Sequence, residues 1–257
     1  MKRFLCCLTA AVLLFGAVGC METSPRPAAE TGALDAAEPA PTDVIAFDDD
    51  VLEAWVRAAI GKTEGDITLA DALEVTELEL SQQGADPDQP YIHNLSALRY
   101  FPNLTYLGLG YAVQNAKDPA LPVDLSPLAG LTRLESLQMG GLVIDDVSPL
   151  AGLTNLMSLS IFGGGALSDL SPLAGLTRLQ ALTLRGNRIS DVSPLSGLNR
   201  LIYLDLEWNG ISDVAPLAGL TGLTRLFLSN NPVTDYSPLA QVRSDLEDWD
   251  FDVQPQP

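Results

Sequence analysis

A 22-residue register runs three times in succession near the C-terminal end of this 257-residue chain: LQALTLRGNRISDVSPLSGLNR from Leu179, LIYLDLEWNGISDVAPLAGLTG from Leu201 and LTRLFLSNNPVTDYSPLAQVRS from Leu223. Read backward, further copies start at Leu156 (23 residues, with one extra glycine in Gly163-Gly164-Gly165), Leu134 (22), Leu104 (30, its insertion near Tyr111 to Leu121) and Val75 (29, its insertion near Ser81 to Tyr91). A unit this short cannot bury its own apolar side chains, so the copies must stack. Seven exceed the roughly three that a solenoid needs.

Each part of the unit has a physical task. The L-x-x-L-x-L opening alternates near its end, as in Leu204-Asp205-Leu206, which predicts a short strand with leucines inward and the intervening side chains outward on a concave face. Asn187, Asn209 and Asn231 follow at the turn, where an amide can bond otherwise unpaired main-chain groups from coil to coil. Earlier copies carry Leu142 or the glycine run instead, and looser turns are expected there. Ser-Pro comes next in five copies, with Ala215-Pro216 as a variant; a serine cap before proline starts a helical turn, and the glycine of Leu-Ala-Gly-Leu ends it. The expected architecture is an α/β solenoid, a curved parallel β-sheet on the concave face with short 3₁₀ or α turns on the convex face.

The ends require closing. Val51, Leu52, Trp55, Val56, Ala59 and Ile60 fall on one helical stripe behind Asp48-Asp49-Asp50, and Thr68 starts a second short helix, so residues 46–74 are read as a helical N-terminal cap. The repeats span 75–244. Leu246, Trp249 and Phe251 reproduce the leucine spacing, so 245–257 is read as a capping half-repeat and tail.

The unit L-x-x-L-x-L-x-x-N-x-I-S-D-x-S-P-L-x-x-L-x-x resembles the leucine-rich repeat of internalins and their bacterial relatives, and the segment from Phe47 to Thr68 resembles that family's helical cap. The resemblance implies a leucine-rich repeat solenoid used for binding. Internalins continue into an immunoglobulin-like region and a cell-wall anchor where this chain has its half-repeat, so host-cell invasion is not carried over.

The N-terminus reads as an address. Lys2 and Arg3 precede fifteen apolar or small residues, Phe4 to Val18, the layout of a secretory signal, and the stretch is shorter than the roughly 20 residues a membrane-spanning helix needs. Ala17-Val18-Gly19-Cys20 resembles the lipobox of bacterial lipoproteins, which implies cleavage after residue 19 and lipidation of Cys20; the alternative is an ordinary signal peptide with an incidental cysteine. Met21, where inner-membrane lipoproteins often carry aspartate, points to the outer membrane. Residues 20–45, rich in Pro, Ala and Glu, form a tether reaching between about 25 Å as a coil and about 75 Å extended. The expected location is the bacterial cell envelope, periplasmic or surface-exposed.

Composition narrows the function. Acidic residues outnumber basic ones 33 to 14, a net charge of -19, which becomes -21 once Lys2 and Arg3 are removed; such a surface repels a phosphate backbone and excludes a nucleic-acid partner. The cysteines, Cys6, Cys7 and Cys20, leave no disulfide for the repeats. No metal, cofactor or catalytic set is expected. His93 is the sole histidine, the Asp48 to Asp50 run lacks the alternating ligands of a calcium loop, and the Gly163 to Gly165 run lacks the lysine of a phosphate loop. The aspartate two places before each Ser-Pro recurs in coil after coil and so serves architecture.

What the fold does not consume lies at the third, fifth, seventh and eighth places of the copies. Tyr106, Phe162, Arg185, Tyr203, Asp205, Trp208, Arg225 and Phe227 stand there, and outward aromatic and arginine side chains on a rigid sheet have the composition of a binding surface. A protein or peptide ligand on this face is expected, with Arg185, Tyr203, Asp205, Trp208, Arg225 and Phe227 as its main patch. Sugar stacking on Trp208 and Tyr203, or a constitutive structural role in the envelope, are the alternatives.

Overall fold

The computed structural model describes residues 43–80, 90–114, 118 and 121–251. The signal segment, Cys20, most of the tether, the tips of both insertions and the tail from Asp252 lie outside the described residues.

Eight short strands, β1 Glu77–Glu79, β2 Tyr106–Gly108, β3 Ser136–Gly140, β4 Ser158–Phe162, β5 Ala181–Thr183, β6 Tyr203–Asp205, β7 Arg225–Phe227 and β8 Asp248–Trp249, form one parallel sheet in sequence order. Leu78, Leu107, Leu137, Leu159, Leu182, Leu204 and Leu226 stand in register and are buried, because each coil presents its leucine at the same height to the next. Trp249 closes this row opposite Leu226. Between strands the chain returns through 3₁₀ turns, most of them the three residues Ser-Pro-Leu.

The turn chemistry corrects one expectation. Serine is the first residue of each Ser-Pro-Leu turn, not its cap, and no side chain at the preceding residue bonds the turn. The acceptor is the aspartate two places earlier: Ser148 N donates to Asp146 Oδ1 at 2.7 Å, and Ser126, Ser171, Ser193, Ala215 and Ser237 make the same bond to Asp124, Asp169, Asp191, Asp213 and Asp235 at 2.8 Å. Alanine at 215 is tolerated because only its N–H is used. These bonds favour the ionised carboxylate and hold Asp146, Asp191 and Asp235 below the usual range.

Asparagine does what its spacing requires. Asn209 Nδ2 donates to Leu206 O and to Leu184 O of the preceding coil, both at 3.0 Å, while Oδ1 accepts from Ile189 N at 3.0 Å. Asn231 makes the equivalent bridge, and Asn187 Nδ2 donates in the same way to Leu184 O and to Ile161 O of the preceding coil. The coils from Leu134 and Leu156, where Leu142 and the glycine run replace the asparagine, are not looser, contrary to expectation. β3 and β4 are the longest strands, paired as far as Gly140 with Phe162, and Gly164 lies so close on the Leu142 carbonyl that a Cβ would approach it to 1.8 Å. Close backbone contact replaces the amide bridge.

At the N-terminal end, α1 Asp50–Ile60 is capped by Asp49, which accepts from Leu52 N at 2.8 Å, and stops at left-handed Gly61. Asp49 Oδ2 also accepts from His93 N at 2.7 Å and Asn94 N at 3.0 Å, tying this helix to the coil. α2 Leu69–Leu73 opens with a Thr68/Asp71 capping box, to which Lys62 adds an ion pair at 2.6 Å. At the other end Tyr236 stacks on Phe251 at 5.0 Å, and the Arg243 guanidinium lies 4.3 Å from the Trp249 ring centre.

Candidate functional site

The strand face is built in columns. The third-place column runs Glu77, Tyr106, Ser136, Ser158, Ala181, Tyr203, Arg225, Asp248, and the fifth-place column Glu79, Gly108, Gln138, Ser160, Thr183, Asp205, Phe227. Its middle is small and uncharged, while both ends are acidic.

Arg185, Tyr203, Asp205, Trp208, Arg225 and Phe227 come together on and beside β5 to β7. Tyr203 and Phe227 meet across β6 and β7 with ring centres 5.7 Å apart. Arg185 pairs with Glu207 at 2.9 Å. Arg225 is exposed opposite Tyr203. Asp205 departs from its expected role as an open contact: it follows Tyr203 by two residues, faces Phe227 directly and is only 6% exposed. Side chains larger than itself border it on a tightly spaced sheet. Burial pushes its carboxyl up to about 6, the nearby charges of Glu207 and Asp250 act the same way, and Arg185 and the bond from Glu207 N oppose them. Glu207 is raised for the same leading reason, burial.

Tyr106 and Phe162 stand apart from that group. Tyr106, on β2, is four strands from β6, about 19 Å away. Its hydroxyl donates to Glu79 Oε2 at 2.5 Å, and burial with this carboxylate pushes the phenol well above its ordinary value. Phe162 lies over Gly140 and meets Tyr111 edge to face at 6.4 Å; Tyr111 in turn covers Gly141. A side chain at either glycine would collide with these rings.

The eighth place is left-handed in the six successive coils that start at Leu104 and end with the one from Leu223. Tyr111, Gly141, Gly163, Gly186, Trp208 and Asn230 have φ of 58°, 75°, 78°, 70°, 56° and 61°. Glycine and asparagine suit that conformation; tyrosine and tryptophan occupy it at a cost of about 1 to 2 kcal/mol. Trp208 is nevertheless 54% exposed and Tyr111 45%. Sequence reading missed Glu79 as a member of this face, although counting to the fifth place from Val75 reaches it, and alternation with apolar residues reads Asp245, Glu247, Asp248, Asp250 and Asp252 as a solvated strand face first and a weak cation site second. Asp250 accepts from Leu228 N and Ser229 N at 2.7 and 3.0 Å, finishing the sheet edge.

A leucine-rich repeat family model (two copies) matches residues 199–241. A crystal structure of an internalin (inlF) from Listeria monocytogenes superposes with a TM-score of 0.71 at 34% identity over 83% of this chain and 58% of that one. A second Listeria monocytogenes internalin gives a TM-score of 0.60 at 31% identity, over 85% of this chain and 99% of the other. The chain belongs to the internalin-like leucine-rich repeat proteins. It spans just over half the length of the first of these relatives. A leucine-rich repeat protein of Leptospira interrogans shares the fold at 18% identity, TM-score 0.54, covering 70% of this chain and 50% of that one. No curated protein sequence matches the chain significantly. Internalin-like repeat proteins are in general binding modules rather than enzymes. Among the described residues no group of three or more His, Cys, Asp or Glu side chains is placed to hold a metal ion.

Proposed function

We propose that this internalin-like chain is a lipid-anchored module of a bacterial cell envelope that binds a protein or peptide partner on the concave face of its repeats. The observation that carries this reading is Trp208: a half-exposed tryptophan in a left-handed position where three other coils place glycine. The fold gains nothing there from a large side chain, and aromatic residues on a rigid surface are what contacts are made from. Tyr203 supports a protein rather than a sugar, because its ring is packed against Phe227 instead of standing free as a platform. The anchor rests on Lys2, Arg3 and the Ala17 to Cys20 sequence; more than one acyl chain makes membrane attachment stable.

Crosslinking and capture from the native envelope tests the surface. A partner recovered with the wild-type chain should be lost with the folded double variant Trp208→Ala/Phe227→Ala, and equal recovery overturns the reading. Replacing Cys20 by serine should move the protein from the membrane to the soluble fraction. Continued membrane association removes the anchor from the proposal.

A further inference from the structure

The charges of the strand face are not balanced. Its outward positions and closing residue carry Glu77, Glu79, Asp205, Glu207, Asp248 and Asp250 against two cations, Arg185 and Arg225, and Arg185 is already paired with Glu207. The whole chain has the same sign, -19. At its C-terminal half this face adds aromatic side chains to the charge, with exposed Trp208 next to Glu207 in the chain and the Tyr203/Phe227 pair beside Asp205. We infer that this part of the face takes up a cationic side chain, lysine or arginine, from an extended segment of a protein partner, seated between Trp208 and the carboxylates of Asp205 and Glu207. The inference rests on the concave face being the recognition surface and adds the chemistry of what it recognises.

Asp205 is the centre of the argument. A carboxylate has about four acceptor positions. Asp205 is 94% buried, and among the described residues it accepts one hydrogen bond, to Oδ1 from Glu207 N at 3.0 Å. An anion so placed is short of both water and donors, and an ammonium or guanidinium supplies the charge and the donors together. Its raised proton affinity, caused by burial first and by Glu207 and Asp250 next, has the same origin. Trp208 contributes the second element, since tryptophan offers the strongest ring face to a cation. An acidic or phosphorylated segment would meet repulsion at Glu207, Asp248 and Asp250, and Arg185 would have to leave Glu207 to greet it.

The test uses the purified full-length protein and three eight-residue peptides in which serine alternates with lysine, glutamine or glutamate. The lysine peptide should bind at least tenfold more tightly than the other two by calorimetry. Asp205→Asn should weaken it about tenfold; asparagine keeps an acceptor for Glu207 N, so the fold is retained, which circular dichroism checks. Trp208→Gly, which leaves every charge in place, should weaken it several-fold. Asp66→Asn removes one charge from an exposed loop of the N-terminal cap and should change the affinity less than twofold. Equal weakening by Asp66→Asn and Asp205→Asn means attraction to the general field and overturns the inference, as does equal binding of the lysine and glutamine peptides. If envelope capture is lost in Trp208→Ala/Phe227→Ala but kept in Asp205→Asn, the cation receptor fails while the recognition surface stands.

Discussion

Asp205 accepts the main-chain N–H of Glu207 at 3.0 Å, while the Glu207 carboxylate turns to Arg185 at 2.9 Å, so of these two neighbouring acids only Glu207 has an ion pair. The arrangement makes stability depend on pH in a direction opposite to that of an ordinary paired carboxylate. The folded value of Asp205 is about 6 against 3.8 for a free group. Below 3.8 it is protonated in both states and contributes nothing. Between the two values the folded chain holds a proton that the unfolded chain has released, so the stability of the fold falls as pH rises through this window and the deficit is complete above 6. Its magnitude is on the order of 1 to 3 kcal/mol. Asp205→Asn should therefore raise the melting temperature at pH 7.5 and leave it unchanged near pH 3.5. Scanning calorimetry at the two pH values reads the difference, and a gain independent of pH would assign it to something other than ionisation.

Trp208 carries the second prediction. Gly141, Gly163 and Gly186 adopt the same left-handed conformation without penalty, so Trp208→Gly should stabilise the domain by up to about 1 kcal/mol even though it deletes the largest side chain on the face. A urea midpoint that moves upward, together with weaker capture of a partner, is the expected pair of results. A substantial loss of stability would show that Trp208 is structural.

The asparagine bridge sets a third. Removing the Asn209 side chain leaves Ile189 N without its partner and takes one of two donors from Leu184 O and Leu206 O, which Asn187 and Asn231 still serve, and a part-buried main-chain group left unpaired costs about 1 to 3 kcal/mol where water cannot reach it. Asn209→Ala should lower stability by about 1 to 3 kcal/mol. Hydrogen exchange should quicken first at Ile189 N, and unchanged protection there would contradict the bridge.

The columns of Leu78 to Leu226, the returning 3₁₀ turns and the asparagine bridges were legible because each repeats at a fixed interval and each does one thing. Other features were not. Ser-Pro offers two candidate capping acceptors, and only the loop geometry shows that Asp146 and its equivalents take the Ser N–H while the hydroxyl is secondary, bonding back to the aspartate at 126, 148 and 171. Strand alternation places Asp205 outward, which is correct, yet it carries no information about how far the rings of Tyr203 and Phe227 extend, and so none about burial. The left-handed eighth place could be suspected from Gly141, Gly163 and Gly186. That Trp208 and Tyr111 share it follows from register alone, since nothing in their own chemistry favours it.

Gly164 is where the irregular coil is most exposed to test. The extra residue in Gly163-Gly164-Gly165 is absorbed by pressing the backbone of one coil onto the preceding one: a Cβ on Gly164 would sit 1.8 Å from Leu142 O, 2.8 Å from Leu142 C and 3.2 Å from Val143 Cα. These are main-chain atoms, which cannot rotate aside as a flexible side chain would. Gly164 has no positive φ, so Gly164→Ala isolates the contact from any conformational preference. The variant should lose about 2 kcal/mol or more, because either the turn lifts off Leu142 or the adjoining pairing of β3 with β4 shortens. Gly175→Ala provides the contrast: its Cβ would enter open space, and the change should be near neutral. Equal urea midpoints for the two variants would mean that the bulge has room to spare and that the close approach of the two coils is not what holds the glycine there.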